Sequence, residues 1–218
     1  MAGLDDAYSL ETPDDNRRLY RDWAATYESN FITSHAYIYH ESLVATFAAA
    51  GPRPDGPLLD VGCGTGLVGM QLAHDIGGTI DGLDISPEML AEAAKKRLPD
   101  GTRSYRCLIE ADMTAPVDIA DGTYAGIVSA GTFTHGHVGP EAIRELVRVA
   151  MPGGVCALGI NERFFAEANF DAVLADLADR DKIEPHEIVT ARIYDADKYA
   201  GVDGEATTMS NVAVFRVI

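Results

Sequence analysis

From Leu58 onward the chain alternates short apolar runs with segments whose apolar residues recur every three to four positions. The first pattern predicts strands and the second predicts helices. LLDV, from Leu58, reads as a first strand, and LVGMQLAHDI, from Leu67, as the helix after it. TIDGLDI is the second strand. SPEMLAEAAKKRL opens a helix with Ser86 as N-cap and Pro87 in the first turn, where a missing N–H costs nothing. RSYRCLIEAD supplies a third strand. AGIVSAG supplies a fourth, apolar throughout as a strand covered on both faces must be. PEAIRELVRVA is a helix stopped by Pro152, Gly153 and Gly154, and VCALGI is the fifth strand. ERFFAEANFDAVLADLADRD reads as one longer helix. HEIVTARIYD and ATTMSNVAVFRVI are two last strands, joined by a loop too short for a crossover helix, which predicts an antiparallel edge hairpin.

Strands alternating with helices predict an α/β fold, a mostly parallel sheet with helices on both faces. Before Leu58 the pattern differs. DDNRRLYRDWAATYESNF and SHAYIYHESLVATFAAAG read as two helices, and GPRPDGP as a linker. Residues 1–51 are therefore expected to form a helical cap over the open end of the sheet, with residues 52–218 as the core.

Composition narrows this picture. A chain of 218 residues, 47% hydrophobic, is long enough for one domain with a sizeable core. It holds no apolar run near the ~20 residues of a membrane span. The acidic start, MAGLDDAYSLETPDDNRR, lacks the apolar stretch of a secretory signal. Cys63, Cys107 and Cys156 stand at no metal-like spacing, and an odd, low cysteine count points to a reducing, cytoplasmic setting. The formal net charge of −17 disfavours nucleic acid and anionic membrane surfaces as partners. It serves solubility, and it also suits a cationic ligand.

The chemistry concentrates after the first strand. Gly62, Gly64 and Gly66 lie between a strand and a helix, where glycine permits a tight turn and close approach of backbone to a ligand. Gly64, Gly66 and Gly69 also fit the dinucleotide spacing G-x-G-x-x-G. Asp60, two residues before Gly62, separates the two readings. A carboxylate there repels a pyrophosphate seated on the helix N-terminus, but suits an adenosyl ligand that carries ammonium and sulfonium groups and no phosphate. Asp60 is also placed to cap the turn. Asp84, ending the second strand, is positioned to accept both ribose hydroxyls of either ligand, or to cap the helix near Ser86. Asp112, after the third strand, can accept from an adenine amino group or cap the next turn, and Met113 beside it offers a backbone N–H to the ring.

LLDVGCGTG, LDISPEML, EADM and LVRVAMPGG occur in that order at domain-scale spacing. Together they resemble the class I, Rossmann-like S-adenosylmethionine-dependent methyltransferases over roughly residues 58–218. LYRDWAATYE extends the likeness into the cap. It is similar to the Y-D-x-W-A-x-x-Y-D segment of many small-molecule methyltransferases, matching at Tyr20, Trp23, Ala24 and Tyr27, with Asp22 shifted by one residue. Among these the chain resembles the Williams-Beuren-region methyltransferase-like proteins. The resemblance implies a seven-stranded sheet of order 3-2-1-4-5-7-6, S-adenosylmethionine as cofactor and S-adenosylhomocysteine as product. It implies cofactor contacts at Asp60, Gly62, Cys63, Gly64, Gly66, Asp84, Ile85, Met89, Asp112 and Met113. It further implies that Ser129 and Ala130 meet the methionine end and that Tyr20 or Tyr27 closes over it.

Methyl transfer from a sulfonium is an in-line displacement that needs alignment and exclusion of water. It needs a base only where the nucleophile carries a proton. The segment SAGTFTHGHVGP, beyond the fourth strand, brings His135 and His137 near the expected methyl site. His135 is the preferred base, His137 the alternative, and both also fit plain loop residues. No carboxylate partner suggests a metal there. His35, Tyr37, Tyr39 and His40 are placed to line an acceptor pocket or to pack. The expected activity is methyl transfer to a small molecule by a monomer or homodimer. The competing readings are an NAD-dependent oxidoreductase and a non-catalytic adenosyl-ligand binder. Whether oxygen, nitrogen, sulfur or carbon receives the methyl group stays open.

Overall fold

A computed structural model describes residues 12–24, 28, 36–195 and 209–218. Its strands are β1 (Leu58–Val61), β2 (Ile80–Asp84), β3 (Cys107–Glu110), β4 (Tyr124–Phe133), β5 (Ala150–Ile160), β6 (Glu187–Arg192) and β7 (Met209–Arg216). They form one sheet in the order β3-β2-β1-β4-β5-β7-β6. All neighbours are parallel except β5 with β7 and β6 with β7. The predicted order and the antiparallel edge hairpin are both present. The described helices are α1 (Pro13–Trp23), α2 (Tyr39–Ala49), α3 (Leu67–Asp75), α4 (Pro87–Ala93), α5 (Ala142–Val149), α6 (Glu162–Glu167) and α7 (Phe170–Asp179). None is long and apolar enough to cross a membrane.

Local chemistry sets several boundaries. Ser86 Oγ accepts from the Met89 N–H at 3.2 Å, the cap that starts α4. Thr12 and Asp15 form a reciprocal capping box on α1. Two boundaries depart from the sequence reading. The single long helix expected from Glu162 is two, because Asn169 adopts φ 64° and breaks it. Pro152, Gly153 and Gly154 do not merely stop α5. They lie inside β5, where the ladder to β4 shifts register and Gly153 takes φ 78°.

Alternate strand residues feed two apolar layers. On one face Leu59, Val61, Ile127, Cys156 and Leu158 pack with α5 and α7. On the other, Leu58, Ile80, Val128, Val155 and Ala157 pack with α2, α3 and α4. The second layer changes the expected role of α2. Tyr39, Leu43, Val44 and Phe47 recur at helical spacing and are buried against the sheet, so α2 is a covering helix of the core. Tyr39 Oη donates to Ser210 Oγ at 2.7 Å, which donates to the Ile160 carbonyl at 2.8 Å. Gly159 leaves the room, since a Cβ there would fall 1.9 Å from Tyr39 Oη. α1 lies beside α4.

Candidate active site

The chain leaves β1 through Gly62, Gly64 and Gly66, with φ of 65°, 51° and 92°. The Gly62 and Cys63 N–H groups donate to the Leu83 carbonyl at 2.7 and 3.0 Å, pinning the turn to β2. Ser129 Oγ and Thr132 Oγ1 donate to the Val61 carbonyl at 2.8 and 3.0 Å, pinning it to β4. A Cβ on Gly62 would lie 1.9 Å from Thr132 Oγ1, whereas one on Gly64 would meet nothing within 4 Å. Gly64 is thus the glycine whose backbone faces open space. Asp84 Oδ2 accepts from the Gly64 N–H at 2.8 Å and Oδ1 from the Ser86 N–H at 2.9 Å. Its cap role is therefore real, and each carboxylate oxygen keeps a second lone pair for a ligand. Burial raises its pKa, against the pull of these N–H groups.

Beneath the turn lies a closed polar pair. Tyr105 Oη donates to Asp60 Oδ2 at 2.7 Å and accepts from the Gly69 N–H at 3.1 Å. Asp60 is fully buried, and its Oδ1 has no hydrogen-bond partner. Burial pushes its pKa up to about 7, with the Asp84 charge adding to the rise and the Tyr105 hydrogen bond opposing it. A Cβ on Gly69 would fall 2.1 Å from the Tyr105 ring, and one on Gly66 2.9 Å from it. Two glycines of the G-x-G-x-x-G spacing therefore answer to a tyrosine side chain.

A cavity of about 920 Å³, counting its open mouth, lies over this floor. Of the residues singled out in the sequence, Gly62, Cys63, Gly64, Asp84, Ile85, Met89, Met113, Ala130 and Tyr20 line it. Tyr27 and His35 fall outside the described residues. Asp60 and Ser129 sit under the floor, and Gly66 faces Tyr105. Asp112 stands off the cavity and caps a turn, with Oδ1 accepting from the Thr114 N–H and Oγ1 at 2.8 and 2.7 Å. Its neighbours Ala111 and Met113 line the cavity instead. His135 also stands off. Its Nε2 pairs with Glu167 at 2.7 Å and its ring tilts on Phe164. His137, Tyr37 and His40 do line the cavity, while Tyr39 is core.

Sequence reasoning missed Asn16, Thr65, Leu67, Val68, Gly131 and Thr132, all of which line the cavity. For Asn16 a signal existed, since it lies one turn before Tyr20 on the same helix face. Asn16 Nδ2 donates to the Gly136 and Thr12 carbonyls at 2.8 and 3.1 Å, leaving buried Oδ1 unpartnered. His137 Nδ1 lies 3.0 Å from the His135 carbonyl, which can only accept, so Nδ1 carries the proton. Nε2 is then the lone-pair nitrogen, and Tyr20 Oη donates to it at 2.8 Å. Burial lowers the pKa of His137, and that of His40, so both are neutral near pH 7. No Lys or Arg lines the cavity among the described residues.

Residues 58–154 match the methyltransferase domain family. The chain is similar to methyltransferase domains over this stretch, which is less than half of its length. Its fold is shared with the solved TehB-like SAM-dependent methyltransferase of Corynebacterium glutamicum, at TM-score 0.58 and 23% identity over 92% of this chain and 100% of that one. Human methyltransferase-like protein 27 is 32% identical over 143 residues, 64% of this chain and 55% of the relative. The 2-methyl-6-phytyl-1,4-hydroquinone methyltransferase of Synechocystis is 33% identical over 106 residues, 47% of this chain and 31% of that enzyme. The matches thus span about half or less of these two curated relatives. The glycine turn and Asp84 lie at the carboxyl ends of β1 and β2, the end of the sheet at which open α/β folds take their ligands.

Proposed function

We propose that the chain binds S-adenosylmethionine over the glycine turn and transfers its methyl group in line to a small-molecule acceptor. The observation that carries this reading is the paired design of Gly64 and Asp84. One offers backbone that nothing shields, and the other a buried carboxylate with an unused lone pair on each oxygen. In this reading Asp84 takes the ribose hydroxyls, and Ile85, Met89, Ala111 and Met113 bound the adenine. Gly62, Cys63 and Gly64 meet the methionine end with Ala130, and Tyr20 closes over it. Asp60 and Ser129 support that end from below the floor, where Asp60 leaves Oδ1 without a partner. The sulfonium, when bound, supplies an activated methyl group. The protein's part is to orient it, to exclude water and to admit the acceptor past the rim.

The G-x-G-x-x-G spacing lends no support to a dinucleotide, since Gly69 answers to Tyr105 and Asp60 lies under the turn. The net charge of −17 and a cavity without Lys or Arg among its described lining residues favour a compact acceptor over nucleic acid. Calorimetry with S-adenosylmethionine, S-adenosylhomocysteine and NAD tests the reading. Micromolar or tighter binding of the first two, with none of NAD, is the expected result. Absence of binding by both sulfur ligands overturns it.

A further inference from the structure

The cofactor reading leaves the polar atoms of the rim unused. Tyr20 Oη, His137 and Asn16 Oδ1 belong to residues that line the cavity. We propose that Tyr20 and His137 form a proton relay for the methyl acceptor, and that this acceptor is an uncharged aromatic hydroxyl compound. This rests on the methyl-transfer reading above.

Three observations carry it. First, the tautomer of His137 is fixed: its Nδ1–H is held by the His135 carbonyl at 3.0 Å, and the Nε2 lone pair meets Tyr20 Oη at 2.8 Å. A neutral imidazole in that orientation can take a proton only through the tyrosine hydroxyl. His135 offers no rival, since Glu167 holds its ring away from the cavity. Second, no Lys or Arg among the described residues lines the cavity, so the protein offers no cationic side chain to a carboxylate or phosphate acceptor. Third, the rim is aromatic. Tyr37 and His40 stack at 6.0 Å with an interplanar angle of 11°, and Tyr20 meets the His137 ring edge-on. Asn16 Oδ1 and His40 Nδ1, both buried and unpartnered, belong to the same rim and suit a further polar hydrogen on such a compound.

The step balances without another reagent. The acceptor hydroxyl gives its proton to Tyr20 Oη as the Tyr20 proton moves to His137 Nε2. The acceptor oxygen bonds to the methyl carbon while the bond from that carbon to the sulfonium sulfur breaks, and the sulfur keeps the electron pair as a neutral thioether. The imidazolium then releases its proton to water.

The test uses the full chain. Nitrogen-15 spectra of the ligand-free protein should show His137 as the Nδ1–H tautomer, and Tyr20→Phe should shift its Nε2 signal. Labelled methyl transfer is then measured to catechol, hydroquinone and naphthol, with thiophenol and benzoate as comparators. Thiophenol, a thiolate near neutrality, needs no relay. The proposal expects transfer to a phenol, a loss of about 100-fold or more in His137→Gln, and S-adenosylmethionine affinity held within about twofold. The phenol rate should rise with pH through the His137 titration in the parent and lose that limb in the variant, while any thiophenol rate is spared. Among the described residues the other titratable side chains on the cavity are Tyr37, His40, Cys63 and Asp84. If His137→Gln fails to bind S-adenosylmethionine, the His137 tautomer of the parent and the rising pH limb of its phenol rate decide instead. An Nε2–H tautomer, a variant that keeps its phenol rate within threefold, transfer to benzoate alone, or no transfer to any phenol by a protein that binds S-adenosylmethionine each overturns the relay. Failure of the parent to bind S-adenosylmethionine overturns the methyl-transfer reading instead.

Discussion

The floor and the rim of the cavity are held in different ways. The floor is a turn clamped from below. Leu83 and Val61 carbonyls, two hydroxyls and the buried Asp60–Tyr105 pair all converge on it, and Gly62 and Gly66 are placed where side chains would collide. The rim is α1 laid against the 134–138 loop through Asn16 and Tyr20, with unsatisfied polar atoms left at Asn16 and His40. A clamped floor can present one geometry to a constant ligand. A rim made by a helix laid on a loop can part to admit a second one.

The strongest way to break this contrast is to overfill the floor. Gly62→Ala meets Thr132 at a positive φ and should cost about 3 kcal/mol of unfolding free energy in urea titrations. Adding Thr132→Ala should restore part of it, and full additivity of the two changes would show that the clash is not the cause.

Next in size is the pH response of Asp60. An unfolded aspartate titrates near 3.8, and burial raises this one to about 7 in the fold. Between these values the folded state keeps a proton that the unfolded state has lost. The associated stability is full below pH 3.8 and is lost as pH rises through about 7, by roughly 2 kcal/mol after allowance for relaxation. Asp60→Asn should remove that slope from the stability curve over this window. An unchanged slope would place its origin elsewhere.

Asp84→Ala should weaken S-adenosylmethionine by about tenfold, or ~1.4 kcal/mol, in calorimetry, since it deletes a charged acceptor. Unchanged affinity would mean that the ribose lies elsewhere. Smallest is Asn16→Ala at the rim, expected to raise local opening of α1 by about 0.5–1 kcal/mol in hydrogen exchange while global stability barely moves. A global loss would make the rim as integral as the floor.

The same contrast governs what the sequence could disclose. The floor was legible because its chemistry is local. Asp60, the glycines and Asp84 sit at the ends of neighbouring strands whose apolar runs are easily recognised, and the strand order follows from the alternation of elements. The rim depends on a contact between Asn16 or Tyr20 and a loop some 120 positions away, which no local pattern encodes. For the same reason the two histidines could not be told apart by spacing. His135 has Glu167 as a partner on a later helix and His137 has Tyr20 on an earlier one. Position alone left Asp112 between a ligand contact and a turn cap, and its Oδ1 caps the turn at Thr114. Alpha-two was misplaced because a helix with an apolar stripe covers a sheet face as readily as its open end.

The Tyr105 ring carries a consequence for anyone who would re-engineer the ligand loop. The spacing from Gly64 to Gly69 imitates a dinucleotide fingerprint, yet its last member is dictated by a phenol on a residue 36 positions downstream. Transplanting a loop from another nucleotide-binding protein would import side chains into volume that this tyrosine already occupies. The portable unit is therefore loop plus Tyr105 plus Asp60, and a graft that moves the glycines alone should yield an insoluble chain.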